Sequence, residues 1–295
     1  MTPAEYCLQR IGGRVSNLAC SLMFLPRHAR ASVSALHAFA QEISDIPALC
    51  SEPAVAHNKL HWWHEEIHNT SLGNARHPIS LALAPLLATG KINEPALQDL
   101  IVAHATAIPP LRYPNFQALF EYAQRIGGGI QLLTLDSLDV QNPSARVLAR
   151  QLGAVHALTV LLQRAGADVR RDRLFLPGED LERFRVSESE VLACRESQAF
   201  QTLMAFQADR ILDLYTQALA ILPPSQPALL PSLILAALDR ALLTEIRADG
   251  YHVLSRQIVL TPLRRLWTAW RTRRHARRRR SARADAQLGD RKSVV

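Results

Sequence analysis

Two groups of charged residues follow apolar helical stretches, and their residue types could bind a metal ion or an anion. Glu42 and Asp45 lie near the end of residues 32–49, where apolar residues recur at helical spacing. Asp168 follows a second such run within residues 149–181. Carboxylates bind Mg²⁺ and guanidinium groups bind diphosphate, and the cations around Asp168 are Arg164, Arg170, Arg171 and Arg173. Each group could form the mouth of a cavity; a helix end exposed to water is the alternative.

Two further patterns are weaker. His61, His64, Glu65 and His68 share one face of a predicted helix, but one helix cannot complete a tetrahedral metal site, so a solvated face is favoured. The three glycines at 127–129 are not followed by Lys-Ser or Lys-Thr, as a phosphate-binding loop would require. They favour close helix packing or a backbone groove beside a ligand.

The composition predicts a single all-α domain. The 295 residues are 48% hydrophobic and include only 12 glycines, below the usual ~7%, and apolar residues repeat at helical spacing. Most of the 17 prolines fall between periodic segments, where they would end helices. The longest predicted helices run from Ala29 to Ile46, stopped by Pro47, from Phe116 to Ile130, from Glu188 to Leu222, and from Pro262 to about Arg280.

The basic charge is concentrated at the C-terminus. Twelve Arg or Lys and two Asp lie between Arg264 and Lys292, a net charge of +10, whereas the whole chain carries +8; the remainder therefore carries −2. This distribution argues against nucleic acid as a partner. Leu266, Trp267 and Trp270 share one side of an arginine-rich helix, a pattern typical of a helix on an anionic membrane surface. We therefore expect a domain at 1–270 and a basic, disordered tail at 271–295, with a solvated tail as the alternative to a membrane contact.

The cysteines and the N-terminus indicate a cytoplasmic protein. The four cysteines are widely spaced and form no CxxC pair, which favours free thiols in a reducing compartment. No long apolar run lies near the N-terminus, so a signal peptide is not expected. Peripheral attachment at the inner membrane, through the basic tail, is a further expectation.

Several stretches resemble the squalene/phytoene synthase family. They are SLMFLPRHARASVSALHAFAQEISDI (21–46), KLHWWHEEI (59–67), RYPNFQALFEYAQRIGGG (112–129), RDRLFLPGEDLERFRVSESEV (171–191), AFQTLMAFQADR (199–210) and GYHVLSRQIVLTPLRRLWTAWR (250–271). The last two look most like bacterial presqualene diphosphate synthases of hopanoid biosynthesis. The resemblance implies a single-domain isoprenoid-synthase helical bundle around a central apolar cavity, in which family members join two prenyl diphosphates with the help of Mg²⁺.

The chain departs from the family at the metal-binding motifs. The first motif reads approximately Tyr-xxx-Arg-xx-Asp-Asp-xx-Asp, and the matching residues here are His37, Gln41, Ser44, Asp45 and Ala48. The second reads Gln-xx-Asn-xx-Arg-Asp-xxx-Asp, and the matching residues here are Ala157, Val160, Gln163, Arg164 and Asp168. Four metal-facing carboxylates are reduced to one, which cannot organise a cluster of cations that require oxygen ligands.

Two functions remain open. The first is a catalytically impaired family member of isoprenoid biosynthesis that needs no cofactor and binds a prenyl diphosphate, an isoprenoid lipid or an active paralogue. The family's resemblance to a mitochondrial assembly factor for respiratory complex I gives precedent for a non-catalytic role. The alternative is an active enzyme that condenses two farnesyl diphosphates with Mg²⁺, using Glu42, Asp45 and Asp168 with Arg164 and Arg173. In either case the resemblance implies that the cavity is lined by His37, Gln41, Tyr122, Ala157 and Val160.

Overall fold

Helices form nearly all of the chain that the structure describes. The structure is a computed structural model that describes residues 1–12, 16–223 and 227–292, with side chains as far as Arg278. In chain order the helices are α1 (Pro3–Arg10), α2 (Asn17–Leu22), α3 (Arg27–Leu49), α4 (Pro53–Ser71), α5 (Pro78–Ala88), α6 (Glu94–Ala105), α7 (Phe116–Ala123), α8 (Gly129–Ser137), α9 (Pro143–Gln163), α10 (Ala165–Val169), α11 (Gly178–Arg183), α12 (Glu188–Leu192), α13 (Gln198–Ala220), α14 (Leu230–Ala248) and α15 (Pro262–Lys292).

Helix α9 is the central element of the bundle and packs against α8, α13 and α14. Its N-terminus is capped by Asn142, whose side chain accepts a hydrogen bond from the amide of Ala145, and Pro143 occupies the first turn. Among the described residues, α9 is the one helix long and apolar enough to cross a membrane, and 61% of its most apolar window is buried inside the bundle. It is packed as a core helix.

The run of glycines allows two backbones to touch. Residues Gln124–Gly128 form a π-helical turn between α7 and α8. A Cβ atom added to Gly127 would lie 2.0 Å from the carbonyl oxygen of Gly153 on α9, and one added to Gly153 would lie 2.1 Å from the oxygen of Gly127. Only glycine fits at either position, which confirms the prediction of close helix packing.

Helix α3 passes through the proline that was expected to stop it. Pro47 lies inside the last turn of α3, which ends at Leu49. Loss of one backbone hydrogen bond is tolerated there because Ile46, Pro47 and Ala48 are all buried against the rest of the bundle. The prediction that the helix ends before Pro47 was wrong.

Three other predicted helices have different ends. The segment predicted as one helix from Glu188 to Leu222 is broken between α12 and α13, where Cys194 has a positive φ of 53°. The helix predicted from Phe116 to Ile130 continues through the π turn to Ser137. The backbone of α15 stays helical to Lys292, beyond the predicted end near Arg280 and through most of the tail expected to be disordered; residues 293–295 lie outside the described part of the chain.

A short pair of parallel strands was not predicted. Strand β1 (Leu111–Tyr113) pairs with β2 (Arg173–Pro177), and Leu111 lies opposite Arg173. Strands of three and five residues are too short to show a recognisable alternation of apolar and polar side chains. The pairing fixes the backbone of Arg173 five residues after Asp168.

Candidate functional site

The two predicted carboxylates of α3 are bound by an arginine of α1. Arg10 Nε lies 2.5 Å from Glu42 Oε2, and Arg10 Nη2 lies 2.6 Å from Asp45 Oδ2. The other oxygen of Asp45 accepts a hydrogen bond of 2.9 Å from Gln41 Nε2. Burial alone would lower the pKa of Arg10. Its hydrogen bonds to Glu42 and Asp45 outweigh this effect, so the pKa of Arg10 is raised overall. Both carboxylates therefore have a cationic partner within the chain.

Asp168, the surviving carboxylate of the second motif, forms a separate buried ion pair. Its Oδ1 lies 3.2 Å from Nη1 of Arg173, and the two side chains are 5% and 4% exposed. Burial raises the pKa of Asp168, and the positive charges of Arg173, Arg164 and Arg171 only partly oppose this shift. The expected basic cluster around Asp168 is thus present, and its central pair is buried rather than exposed to water.

Aromatic rings surround Arg173. Its Cζ lies 5.0 Å from the ring centroid of Phe175, and the rings of Tyr113 and Tyr122 stack against Phe175 at 5.9 and 5.8 Å. Burial is the main cause that raises the pKa of Tyr122. The predicted cavity residue Tyr122 therefore belongs to the aromatic wall of the Asp168–Arg173 pair.

Arginine side chains also connect this region to its neighbours. Arg171 Nη1 donates to the carbonyl oxygen of Ala48 at the end of α3, and Arg170 Nη1 donates to that of Leu254 at 3.0 Å. Gln163 Nε2 binds the carbonyl oxygen of Ile258 at 2.6 Å. These contacts bring the ends of α3 and α9 together and hold the irregular segment 252–260 beside them.

Four half-buried residues of α9 share one face of the helix. They are His156, Val160, Gln163 and Arg164, and their spacing places them on that face. On α3, Gln41 and Ser44 are half-buried and His37 is buried, with its Nε2 3.4 Å from Thr134 Oγ1. Ala157 is buried against Gly127.

This set of donors does not fit Mg²⁺. The resemblance implies metal-facing aspartates at three positions where this chain has Ser44, Ala48 and Arg164, and Asp168 is paired with Arg173. In the part of the chain that the structure describes, no group of three or more His, Cys, Asp or Glu side chains is arranged to hold a metal ion. On the exposed face of α4, the two outer histidines are paired with different carboxylates and do not converge on one point. His61 pairs with Glu65 at 3.5 Å, and His68 pairs with Glu94 at 3.0 Å.

A large apolar cavity lies at the other end of the bundle. Its volume is about 910 Å³, and it is lined by parts of α3, α13, α14 and α15 and by the residues that follow α2 and α8. Its apolar wall includes Phe24, Leu138 and Leu233, and its cationic lining residues are Arg240, Arg273 and Arg277. None of the five residues predicted to line the central cavity lines this one.

Sequence reasoning missed two groups of residues. Arg10 is separated from its partners Glu42 and Asp45 by 32 and 35 residues, so no local pattern signals the contact. The second group joins three core helices: Asp239 of α14 accepts hydrogen bonds from His156 of α9 and Tyr215 of α13. In the sequence, this second group is signalled by a polar residue within each of the three apolar helices.

Comparisons with known proteins agree with this architecture. The model of the squalene/phytoene synthase family matches residues 13–265. The chain is 25% identical over 282 residues to a 15-cis-phytoene synthase of Synechocystis sp., covering 90% of this chain and 84% of that protein. It is also 25% identical over 189 residues to mouse NADH dehydrogenase (ubiquinone) complex I, assembly factor 6, covering 63% and 56% of the two chains.

Solved structures share the same fold. A dehydrosqualene synthase in complex with a ligand superposes with a TM-score of 0.77 at 18% identity and covers 93% of this chain and 96% of its own. The squalene synthase HpnC from Alicyclobacillus acidocaldarius superposes with a TM-score of 0.72 at 21% identity, covering 84% and 94%. These matches confirm the all-α isoprenoid-synthase fold expected from the sequence.

Proposed function

The chain belongs to the squalene/phytoene synthase family of isoprenoid biosynthesis, and we propose that it binds an isoprenoid ligand without condensing two prenyl diphosphates. One observation carries this proposal: the acidic residues of the two motif regions are held in separate ion pairs with arginines. Glu42 and Asp45 pair with Arg10, and Asp168 pairs with Arg173. Carboxylates neutralised in this way offer little to Mg²⁺.

The binding part of the proposal is supported by the 910 Å³ cavity. Its volume lies within the range of ligand pockets, roughly 300–1,000 Å³. An apolar wall favours a prenyl chain, and guanidinium groups are suited to a phosphate or diphosphate head group. A prenyl diphosphate or a prenyl lipid with an anionic head would match both features.

The alternative is an active head-to-head prenyltransferase that uses Glu42, Asp45 and Asp168 with Arg164 in place of part of the metal charge. It would require Arg10 to release both α3 carboxylates, since its guanidinium donates to Glu42 Oε2 and to Asp45 Oδ2. Both functions are compatible with membership of the family, so membership alone does not distinguish between them.

The test is an incubation of the full chain with farnesyl diphosphate, Mg²⁺ and NADPH, followed by product analysis and measurement of released pyrophosphate. We expect binding of farnesyl diphosphate without release of pyrophosphate. A robust rate that is abolished by Asp168→Ala in protein that is still folded by circular dichroism, but not by Asp139→Ala, would establish the alternative. Asp139 is a suitable control because its side chain is 68% exposed and paired with Lys91 at the surface.

We also propose that α15 attaches the protein to an anionic membrane surface. Support comes from exposed apolar side chains at spacings of three and four residues: Leu263, Leu266, Trp267 and Trp270. The rings of Trp267 and Trp270 stack at 5.2 Å. Arginines on the same helix, including Arg271 and Arg274, would add electrostatic attraction to anionic lipid.

An active paralogue is the protein partner that we propose. The likeness to a mammalian protein named as an assembly factor supports a role in which a family member acts through another protein. We expect a condensing synthase from the same cell to co-elute with this chain in size-exclusion chromatography. Separate elution at micromolar concentrations of both proteins would contradict this partner.

A further inference from the structure

The lining of the 910 Å³ cavity carries positive charge without a carboxylate to balance it. Arg240 of α14 and Arg273 and Arg277 of α15 line the cavity, and within the described part of the chain none of the lining side chains is acidic. None of these three arginines forms an ion pair with a carboxylate of the described residues. Their guanidinium groups can therefore bind an anionic ligand.

The apolar part of the lining consists of large side chains that are only half-buried. They are Phe24, Leu138, Leu219, Leu222, Leu230 and Leu233. The cation Arg273 lies against this wall, with its Cζ 4.3 Å from the ring centroid of Phe24. A free phosphate ion would leave the apolar wall uncovered, whereas a ligand with an apolar chain and an anionic head would cover the wall and pair with the arginines.

The two cavity arginines of α15 lie on the same helical face as two of its exposed apolar residues. Leu266, Trp270, Arg273 and Arg277 follow one another at spacings of four, three and four residues, which places them in one row along the helix. Leu266 and Trp270 are 44% and 43% exposed. Arg273 is about 4.5 Å further along the helix axis than Trp270. A bilayer that receives Trp270 therefore lies beside the cationic lining of the cavity.

We propose that the cavity takes up its ligand directly from the membrane, and that this ligand is a single-chain isoprenoid lipid with a phosphate head group. The phosphate binds Arg273 and Arg277 at the membrane surface, and the prenyl chain enters the cavity. A single chain holds a lipid in a bilayer only weakly and reversibly, so the lipid can leave for an apolar cavity. The isoprenoid ligand and the attachment of α15 rest on the proposed function; the route from the membrane rests on the shared helical face.

Transfer of a labelled lipid between vesicles tests this route. Donor vesicles of phosphatidylglycerol carry radiolabelled geranylgeranyl monophosphate, and heavier acceptor vesicles of the same phospholipid are separated from them by centrifugation. We expect the full chain to accelerate transfer about tenfold or more, because the cavity shields the chain from water. Ala237→Trp should remove the acceleration and retain vesicle binding, because Ala237 is a half-buried residue of the cavity wall on α14. Ala248→Trp is the control at an exposed position of the same helix, outside the lining.

A change of charge provides a second measurement if Ala237→Trp does not fold. Arg273→Gln with Arg277→Gln should slow transfer per molecule of vesicle-bound protein about tenfold, as the loss of hydrogen bonds to a charged head group predicts. Arg271→Gln with Arg274→Gln removes the same charge from α15 at positions outside the cavity lining. Both pairs of substitutions should weaken vesicle binding, measured by co-sedimentation, but only the first should slow transfer by the protein that remains bound.

Equilibrium dialysis of farnesyl diphosphate against the full chain, without vesicles, measures uptake from water. Binding from water without accelerated transfer would overturn the inference and leave the proposed function standing. No binding from water and no transfer would contradict both. Acceleration that survives Ala237→Trp, or equal transfer by the two pairs of arginine variants, would also overturn the inference, because the lipid would then pass over another surface.

Discussion

Arg173 Nη1 lies 3.2 Å from Asp168 Oδ1, and both side chains are almost completely buried. The resemblance implies that Asp168 occupies a position of the family's second metal-binding motif. Removing either side chain of a buried ion pair destabilises the folded state, because the remaining charge is left in the interior without a counter-ion.

Removal of one member of this pair should strongly destabilise the fold. We expect Arg173→Met to lower the free energy of unfolding by about 3–5 kcal/mol, measured by urea denaturation. The double variant Arg173→Met with Asp168→Leu should recover most of the loss. Arg256→Met is the control: Arg256 is 61% exposed and pairs with Asp249 at the surface, so its loss should cost less than about 1 kcal/mol. Equal effects of Arg173→Met and Arg256→Met would contradict this assignment.

Two buried histidines should make the fold sensitive to acid. Burial lowers the pKa values of His37 and His104 from 6.5 to about 3. Below pH 6.5 the unfolded chain therefore takes up protons that the folded chain refuses, and stability falls as the pH falls towards 3. Between pH 7 and 5 we expect each of these histidines to contribute a loss of about 2 kcal/mol.

The variant His104→Phe isolates this effect. Its stability should fall less between pH 7 and 5 than that of the parent chain, by about 2 kcal/mol. The same substitution at the exposed His64 should leave the pH dependence unchanged. Parallel pH profiles for His104→Phe and the parent would show that folding does not lower the pKa of His104.

The contact between Gly127 and Gly153 should not tolerate a methyl group. Gly127→Ala would place a Cβ 2.0 Å from the backbone oxygen of Gly153, which requires helix α9 to move, and we expect a loss of about 3 kcal/mol. Gly129→Ala is the matched control in the same run of glycines, since its Cβ would meet only the end of the Leu100 side chain at 3.0 Å. Thermal unfolding compares the two; similar midpoints would contradict the prediction.

The exposed tryptophans of α15 should contribute to membrane binding. We expect Trp267→Gln with Trp270→Gln to weaken binding to phosphatidylglycerol vesicles about tenfold or more, measured by co-sedimentation. Trp62→Gln removes a tryptophan of similar exposure, 44%, from α4 and should have no effect. Deletion of residues 271–295 should also weaken binding, and more so at low salt. Unchanged binding in both the double variant and the deletion would exclude this surface.

Local patterns in the sequence were sufficient to predict the fold class and the region around Asp168. Helical periodicity identifies α3 and α9 because each buries one continuous apolar stripe. Asp168 and Arg173 are five residues apart, so their proximity could be anticipated. The pairing of Asp45 with Arg10 spans 35 residues and that of His156 with Asp239 spans 83. Such partners are decided by how helices pack, and no single segment contains the information.

The helix ends show the same limit. Pro47 reads as a stop signal, yet tertiary packing carries α3 past it. Strand β2 is short and contributes no alternation, yet it places Arg173 opposite Leu111. In both places a local preference was overridden by neighbours distant in the chain.

The guanidinium of Arg10 has a consequence for engineering. Because α1 supplies an internal counter-ion to the acidic end of α3, replacement of Ser44, Ala48 and Arg164 by aspartate would concentrate new negative charge next to a cation already in place. We therefore expect that a chain redesigned to hold magnesium would need a change at Arg10 of α1 as well as new acids on α3 and α9, so that two regions distant in the sequence would have to be altered together.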